Sequence, residues 1–172
     1  MKRFQSSLKS MDIVEFRGIS FVVATPPLQP ISIQDLSAIE DCLGFLFPED
    51  YRAFVNTLGL GETDLSIRTL PPQEILDSYL SEVRGRLSGD WFWAKNPDVL
   101  TQAQAIECVP FFDSSSGDDI LFHPSDLNRW FILPHEGEEA IVVHSFQELC
   151  DFYLRRSNDL QPPYKFYGYD DI

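Results

Sequence analysis

Three histidines (His123, His135, His144) and three cysteines (Cys42, Cys108, Cys150) carry the widest chemical repertoire in this chain. Their spacing argues against most of it. There is no Cys-x-x-Cys pair and no short motif joining His to Cys, so neither a zinc site nor a disulfide framework is indicated. Each cysteine lies in an apolar or amphipathic setting, which predicts buried, reduced thiols and a reducing compartment. Serine is plentiful, but no Gly-x-Ser-x-Gly elbow surrounds it, and the glycine patterns that cradle phosphates are absent. Residues 113–119, Asp-Ser-Ser-Ser-Gly-Asp-Asp, offer oxygen ligands without the alternating positions and distal Glu of a calcium loop. They read as a hairpin turn, with contact to a partner as the alternative. No catalytic, cofactor-binding or metal-ligating residue is assigned, and the chain is read as a non-enzyme. A hydrolase using paired carboxylates is the minor alternative, because the pairing of carboxylates in space is not visible in a sequence.

What remains is recognition of another molecule. The chain has 27 acidic and 13 basic side chains, a net charge of −14, which opposes phosphate contacts and so excludes nucleic acid and anionic membrane as expected partners. A basic protein is the expected partner. The candidate contact residues are the acidic turn residues Asp113, Asp118, Asp119, Glu136, Glu138 and Glu139, and the aromatic pair Trp91 and Trp93. Arg84, Arg86 and Lys95 near those tryptophans form too small a basic island to outweigh the overall charge. No apolar run approaches the roughly 20 residues needed to span a bilayer. The first residues lack the apolar core of a signal peptide, so a cytoplasmic location is expected.

The elements that must position these residues follow from pattern. At 172 residues, the chain is long enough to bury roughly 70% of its unfolded surface in one core. Residues 1–31 read as an arm with possible short strands at 12–16 and 19–24, and residues 32–172 as a single α+β domain. Ser32 is placed to cap a helix whose apolar face carries Leu36, Ile39, Leu43 and Leu46, with Glu40 and Asp41 at its sides. Gly44 ends that helix. Pro48 opens a second at its first position, with Tyr51, Phe54, Val55 and Leu58 on the buried face and Gly59 as terminator. A strand is expected over 65–70. A third helix carries Ile75, Tyr79, Val83 and Leu87, and a fourth, opened by Asn96 and Pro97, carries Val99, Leu100, Ala103 and Ile106. Strands follow at 108–112, 119–122, 130–133 and 140–144. Ser145 then caps a last helix, with Glu148 at capping-box spacing. The aromatic tail, residues 161–172, is expected to pack rather than extend freely. Helices first, then an antiparallel meander and a closing helix, make the order α+β: an antiparallel sheet with helices packed on it.

Three segments together resemble the SUKH superfamily, which includes a yeast cell-wall-synthesis regulator and many bacterial immunity proteins. The first is Ile39-Glu40, Leu43-Gly44 and Phe47-Pro48-Glu49-Asp50-Tyr51-Arg52-Ala53-Phe54. The second runs from Val109-Pro110-Phe111-Phe112-Asp113 to Gly117-Asp118-Asp119. The third is the apolar run 141–143 followed by Ser145-Phe146 and then Leu149 and Phe152. In place of the Asn-Gly turn usual after the second helix stands Leu58-Gly59-Leu60-Gly61, and the insertion around 85–97 is long. The resemblance implies no cofactor and no catalysis. In bacterial members it implies neutralisation of a toxin, often a nuclease, by direct binding; the alternative it offers is a scaffold or regulatory module linked to cell-wall synthesis.

Overall fold

The computed structural model describes residues 12–25, 27–157 and 159–169. The strands are β1 (Ile13–Phe16), β2 (Ile19–Thr25), β3 (Gly61–Thr63), β4 (Ile67–Thr69), β5 (Val109–Ser114), β6 (Asp119–His123), β7 (Asp126–Leu133), β8 (Ile141–Val143) and β9 (Tyr164–Gly168). Among the described residues they form one nine-stranded sheet in the order β1-β2-β9-β3-β4-β5-β6-β7-β8. Every pairing is antiparallel except that of β2 with β9. The chain's last strand therefore enters the sheet between β2 and β3, and residues 12–25 form its outer two strands.

Local chemistry sets the helices. In α1 (Ile33–Leu43) the Ser32 hydroxyl accepts from the Asp35 N–H at 3.1 Å, and Gly44 closes the helix at φ 79°. Pro48 sits one position earlier than expected, at the cap of α2 (Glu49–Thr57), where its missing N–H again costs nothing. Gly59 (φ 88°) lies against residue 29: a Cβ there would stand 2.3 Å from the Gln29 carbonyl oxygen, so only glycine fits. A helical run begins with α3 (Pro72–Glu74), widens into a π-helical segment (Ile75–Tyr79) and continues as α4 (Leu80–Gly89). The fourth predicted helix starts later than Asn96 and Pro97. Thr101 caps α5 (Gln102–Glu107) through a complete capping box with Gln104, a stronger start signal than Asn-Pro. In α6 (Phe146–Leu154) the Ser145 hydroxyl accepts from the Glu148 N–H, while the Glu148 carboxylate reaches back to the His144 N–H at 2.9 Å.

Strand alternation puts two cores on opposite faces. Ile120 and Phe122 join the core formed with α1, α2 and α6, whereas Leu121 between them joins Val83, Leu87, Trp93 and Ala105 from the α4–α5 side. Phe54 is the hub of the first core. Its ring lies 4.7–6.2 Å from those of Phe16, Phe21, Phe112, Phe146 and Phe166, in tilted or edge-on contact.

Some placements differ from the sequence reading. Glu40 is only 3% exposed: its Oε1 accepts from the Phe47 N–H at 2.8 Å and faces Arg52 Nε at 3.2 Å, tying the α1–α2 junction together. Leu46, expected on the apolar stripe, is 54% exposed because the helix has already ended at Gly44. Cys42 is exposed, while Cys108 and Cys150 are buried. The strand expected over 65–70 is present but shorter, as β4 (Ile67–Thr69); a turn at 64–66, with Ser66 at φ 67°, joins it to β3 as a hairpin.

Candidate functional site

Register brings most of the candidate residues to one end of the sheet. Ile67 pairs with Ser114 and Asp119 with Leu133, so the turns at 64–66, 115–118 and 134–140 all project from the same end. The Ser115 N–H donates to the Ser66 carbonyl at 3.0 Å, joining the first two. Asp118 binds this cluster together from inside. It is 3% exposed. Its Oδ1 accepts from the His135 N–H at 2.8 Å, its Oδ2 accepts from the Tyr153 hydroxyl at 2.8 Å, and Arg156 Nη1 stands 3.5 Å from Oδ2. One carboxylate thus connects the β5–β6 turn, the β7–β8 loop and α6. Burial, then the Asp118 charge, push the Tyr153 hydroxyl far above the ordinary tyrosine range, so it stays a donor. Asp118 is therefore a structural clamp, not the surface charge expected from composition.

The aromatic knot divides in a similar way. Trp93 is buried and donates its indole N–H to the Pro134 carbonyl at 2.8 Å, anchoring the β7–β8 loop. Trp91 is half-buried, edge-on to Trp93 at 5.6 Å. The residue that faces solvent is the one between them, Phe92, at 65% exposure. Glu136, Glu138 and Glu139 are exposed on the rim of the same loop. Lys95 Nζ lies 3.7 Å from Glu138 and 4.0 Å from Glu139, too long and too wet to neutralise them.

Asp113 and Asp119 sit on the α4 face. They are direct cross-strand partners, and Arg68 is the partner of Asp113 on the other side. Arg68 holds Asp113 with two donors, Nε at 2.8 Å and Nη2 at 2.6 Å, and Arg86 of α4 holds both oxygens of Asp119 through Nη2 at 2.8 Å. Burial raises both carboxyls above the ordinary aspartate range, outweighing the arginines, which act in the opposite direction. Beside this row a cavity of about 350 Å³ is lined by Leu70, Tyr79, Glu82, Val83, Arg86, Asp113 and Asp119. Arg68 and Glu82 were not singled out by sequence, Arg86 was read only as part of a small basic island and Tyr79 only as part of a helical stripe; cross-strand register brings Arg68 to the two aspartates, and the packing of the 72–89 helical run brings the other three.

Groups with catalytic potential are engaged in structure. The Ser125 hydroxyl lies 2.7 Å from His123 Nδ1, and His123 Nε2 lies 3.2 Å from Glu107 Oε2. The Ser125 N–H donates to the same Nδ1 at 3.2 Å, so the imidazole serves as an acceptor that closes the β6–β7 turn. His144 shares a hydrogen bond with the Asn128 carbonyl at 3.0 Å. Among the described residues, no group of three or more His, Cys, Asp or Glu is arranged to hold a metal ion. Burial pushes the Cys108 thiol up to about 12, and that of Cys150 higher still, which keeps both from acting as thiolates. Among the described residues no helix is long and apolar enough to cross a membrane.

The fold and the surface define a class first: an α+β protein with helices on a mostly antiparallel sheet and one exposed acidic loop, residues 136–139, at a sheet end. The family model described as SMI1 / KNR4 family (SUKH-1) matches residues 30–152, and the chain belongs to that family. The family includes toxin immunity proteins and cell-wall-synthesis regulators, and is generally non-catalytic. No curated protein and no solved structure matches the chain.

Proposed function

We propose that this protein is an immunity-type binding protein that neutralises a cognate toxin, with a basic nuclease domain as the expected target, by direct contact. Membership of the SMI1 / KNR4 family carries the reading. Charge supports it: a net charge of −14, with Glu136, Glu138 and Glu139 displayed on one loop, creates a field that speeds encounter with a basic protein and competes with that protein's nucleic-acid substrate.

The test is co-expression with toxin domains encoded beside the gene. Growth rescue by one of them, together with a stable purified complex, is expected. No rescue and no complex with any neighbouring toxin would remove the reading. Capture of several endogenous partners, none of them tight, would point instead to the regulatory members of the family. In a complex, Glu136→Lys with Glu138→Lys and Glu139→Lys is expected to slow association by about tenfold at low salt and to flatten its salt dependence.

A further inference from the structure

We infer that the groove between α4 and strands β4–β6 seats a cationic side chain, arginine or lysine, carried on an extended segment of the protein partner. The inference rests on reading the protein as a binder of a basic partner, and it names where that partner is gripped.

Five residues in consecutive cross-strand register, Tyr167, Glu62, Arg68, Asp113 and Asp119, share one face of the sheet. Like charges directly opposite each other on paired strands are unfavourable. Asp113 and Asp119 are placed so, and the arginines that offset them stand at the outer flanks: Arg68 on β4 and Arg86 on α4. An ionised carboxylate has about four acceptor positions. Each aspartate uses two of them on its arginine, which leaves acceptor capacity beside the cavity that both line. Glu82 adds a third acid to the cavity lining, so three carboxylates stand against the two guanidinium groups of Arg68 and Arg86; farther along the same sheet face Glu62 and Lys165 offset each other. The excess charge is negative, and a cation complements it.

Shape supports the same occupant. The cavity, about 350 Å³, has room for a guanidinium or ammonium head and its stem. Tyr79, which lines it, is the last residue of the π-helical segment, a widened turn of the kind that recurs at functional positions. A tyrosine side chain beside carboxylates suits a cation better than an anion or an apolar group. Beyond α4 the same sheet face stays open: Lys165 and Tyr167 on β9 are exposed, as is Ile13 on β1, so an extended segment has a surface to follow.

The test is an amide-shift titration of the whole protein with a blocked six-residue peptide of alternating arginine and alanine. The same peptide with citrulline in place of arginine keeps the shape and removes the charge. Saturable shifts confined to residues 68–70, 79–86, 113 and 119 are expected, with the citrulline peptide at least tenfold weaker. Glu82→Gln, an exposed helix position whose replacement leaves the fold intact, is expected to weaken binding about threefold, and Asp119→Asn about tenfold. Shifts centred on residues 134–139, equal binding of both peptides, or no saturable binding would each overturn the groove. Toxin capture is scored independently: a complex that forms but leaves the groove amides unmoved sinks this inference and spares the proposed function, and peptide binding without any toxin complex does the reverse.

Discussion

Asp118 and Asp119 are adjacent in the chain and face opposite sides of the sheet. Asp118 turns toward α6, where Tyr153, the His135 N–H and Arg156 surround its carboxylate and solvent is excluded. Asp119 turns toward α4, where its partner Arg86 has a half-exposed side chain and an open groove lies alongside. The residue type is the same, and so is the turn. The difference comes from what covers each face: a helix end and two loops close over one carboxylate, while a single helix flanks the other. The α6 side uses its charge to hold loops in place, and the α4 side keeps charge available.

The largest effects should fall on the α6 side. Phe54→Ala removes the ring shared by five other phenylalanines and is expected to cost about 3–5 kcal/mol, read from urea or thermal unfolding. Asp118→Ala comes next. It leaves the Tyr153 hydroxyl and the His135 N–H buried without their acceptor, at an expected cost of roughly 3 kcal/mol. Asp119→Ala loses an ion pair with a half-exposed arginine and should cost no more than about 1 kcal/mol. Equal losses for the two aspartates would erase the contrast between the faces. A double-mutant cycle of Asp118→Ala with Tyr153→Phe sharpens it, since the two sides of one buried hydrogen bond should be strongly non-additive.

Much of this contrast was hidden in the sequence, for definite reasons. The helices were legible because caps and periodicity are local: Ser32, Gly44, Ser145 and the Phe54 stripe declared themselves. Glu40 was not legible as a buried residue, because what makes its burial tolerable is the Phe47 N–H beyond the helix end. The β9 strand was missed although Tyr164 and Phe166 alternate with Lys165 and Tyr167 in the two-residue period of a half-buried strand. Aromatic content drew attention away from that alternation, and its place between β2 and β3 is a long-range choice that no local signal carries. At the candidate site, composition pointed to the right turns but could not say which acids face water. Asp118 and Glu136 look alike in sequence; only the packing of α6 separates them.

The smallest effect is a dependence on pH, and its sign discriminates most finely between burial and pairing at Asp113 and Asp119. Were the arginines dominant, both carboxyls would titrate below their unfolded values, and their contribution to stability would fade as pH fell. Burial dominates instead, and both are raised. A carboxyl with a raised folded pKa holds its proton more tightly in the folded chain, so its contribution is most favourable below the unfolded value and is lost as pH rises through the folded one. Replacing both with asparagine removes that dependence. The double variant, Asp113→Asn with Asp119→Asn, should therefore gain stability relative to the original protein as pH rises from the ordinary carboxylate range toward neutrality, measured as the difference in urea midpoint at matched pH. A difference that stays flat, or that runs the other way, would mean that Arg68 and Arg86 satisfy the two aspartates more fully than their burial penalises them. The α4 face would then resemble the sealed side of the sheet, with little charge left for a partner to use.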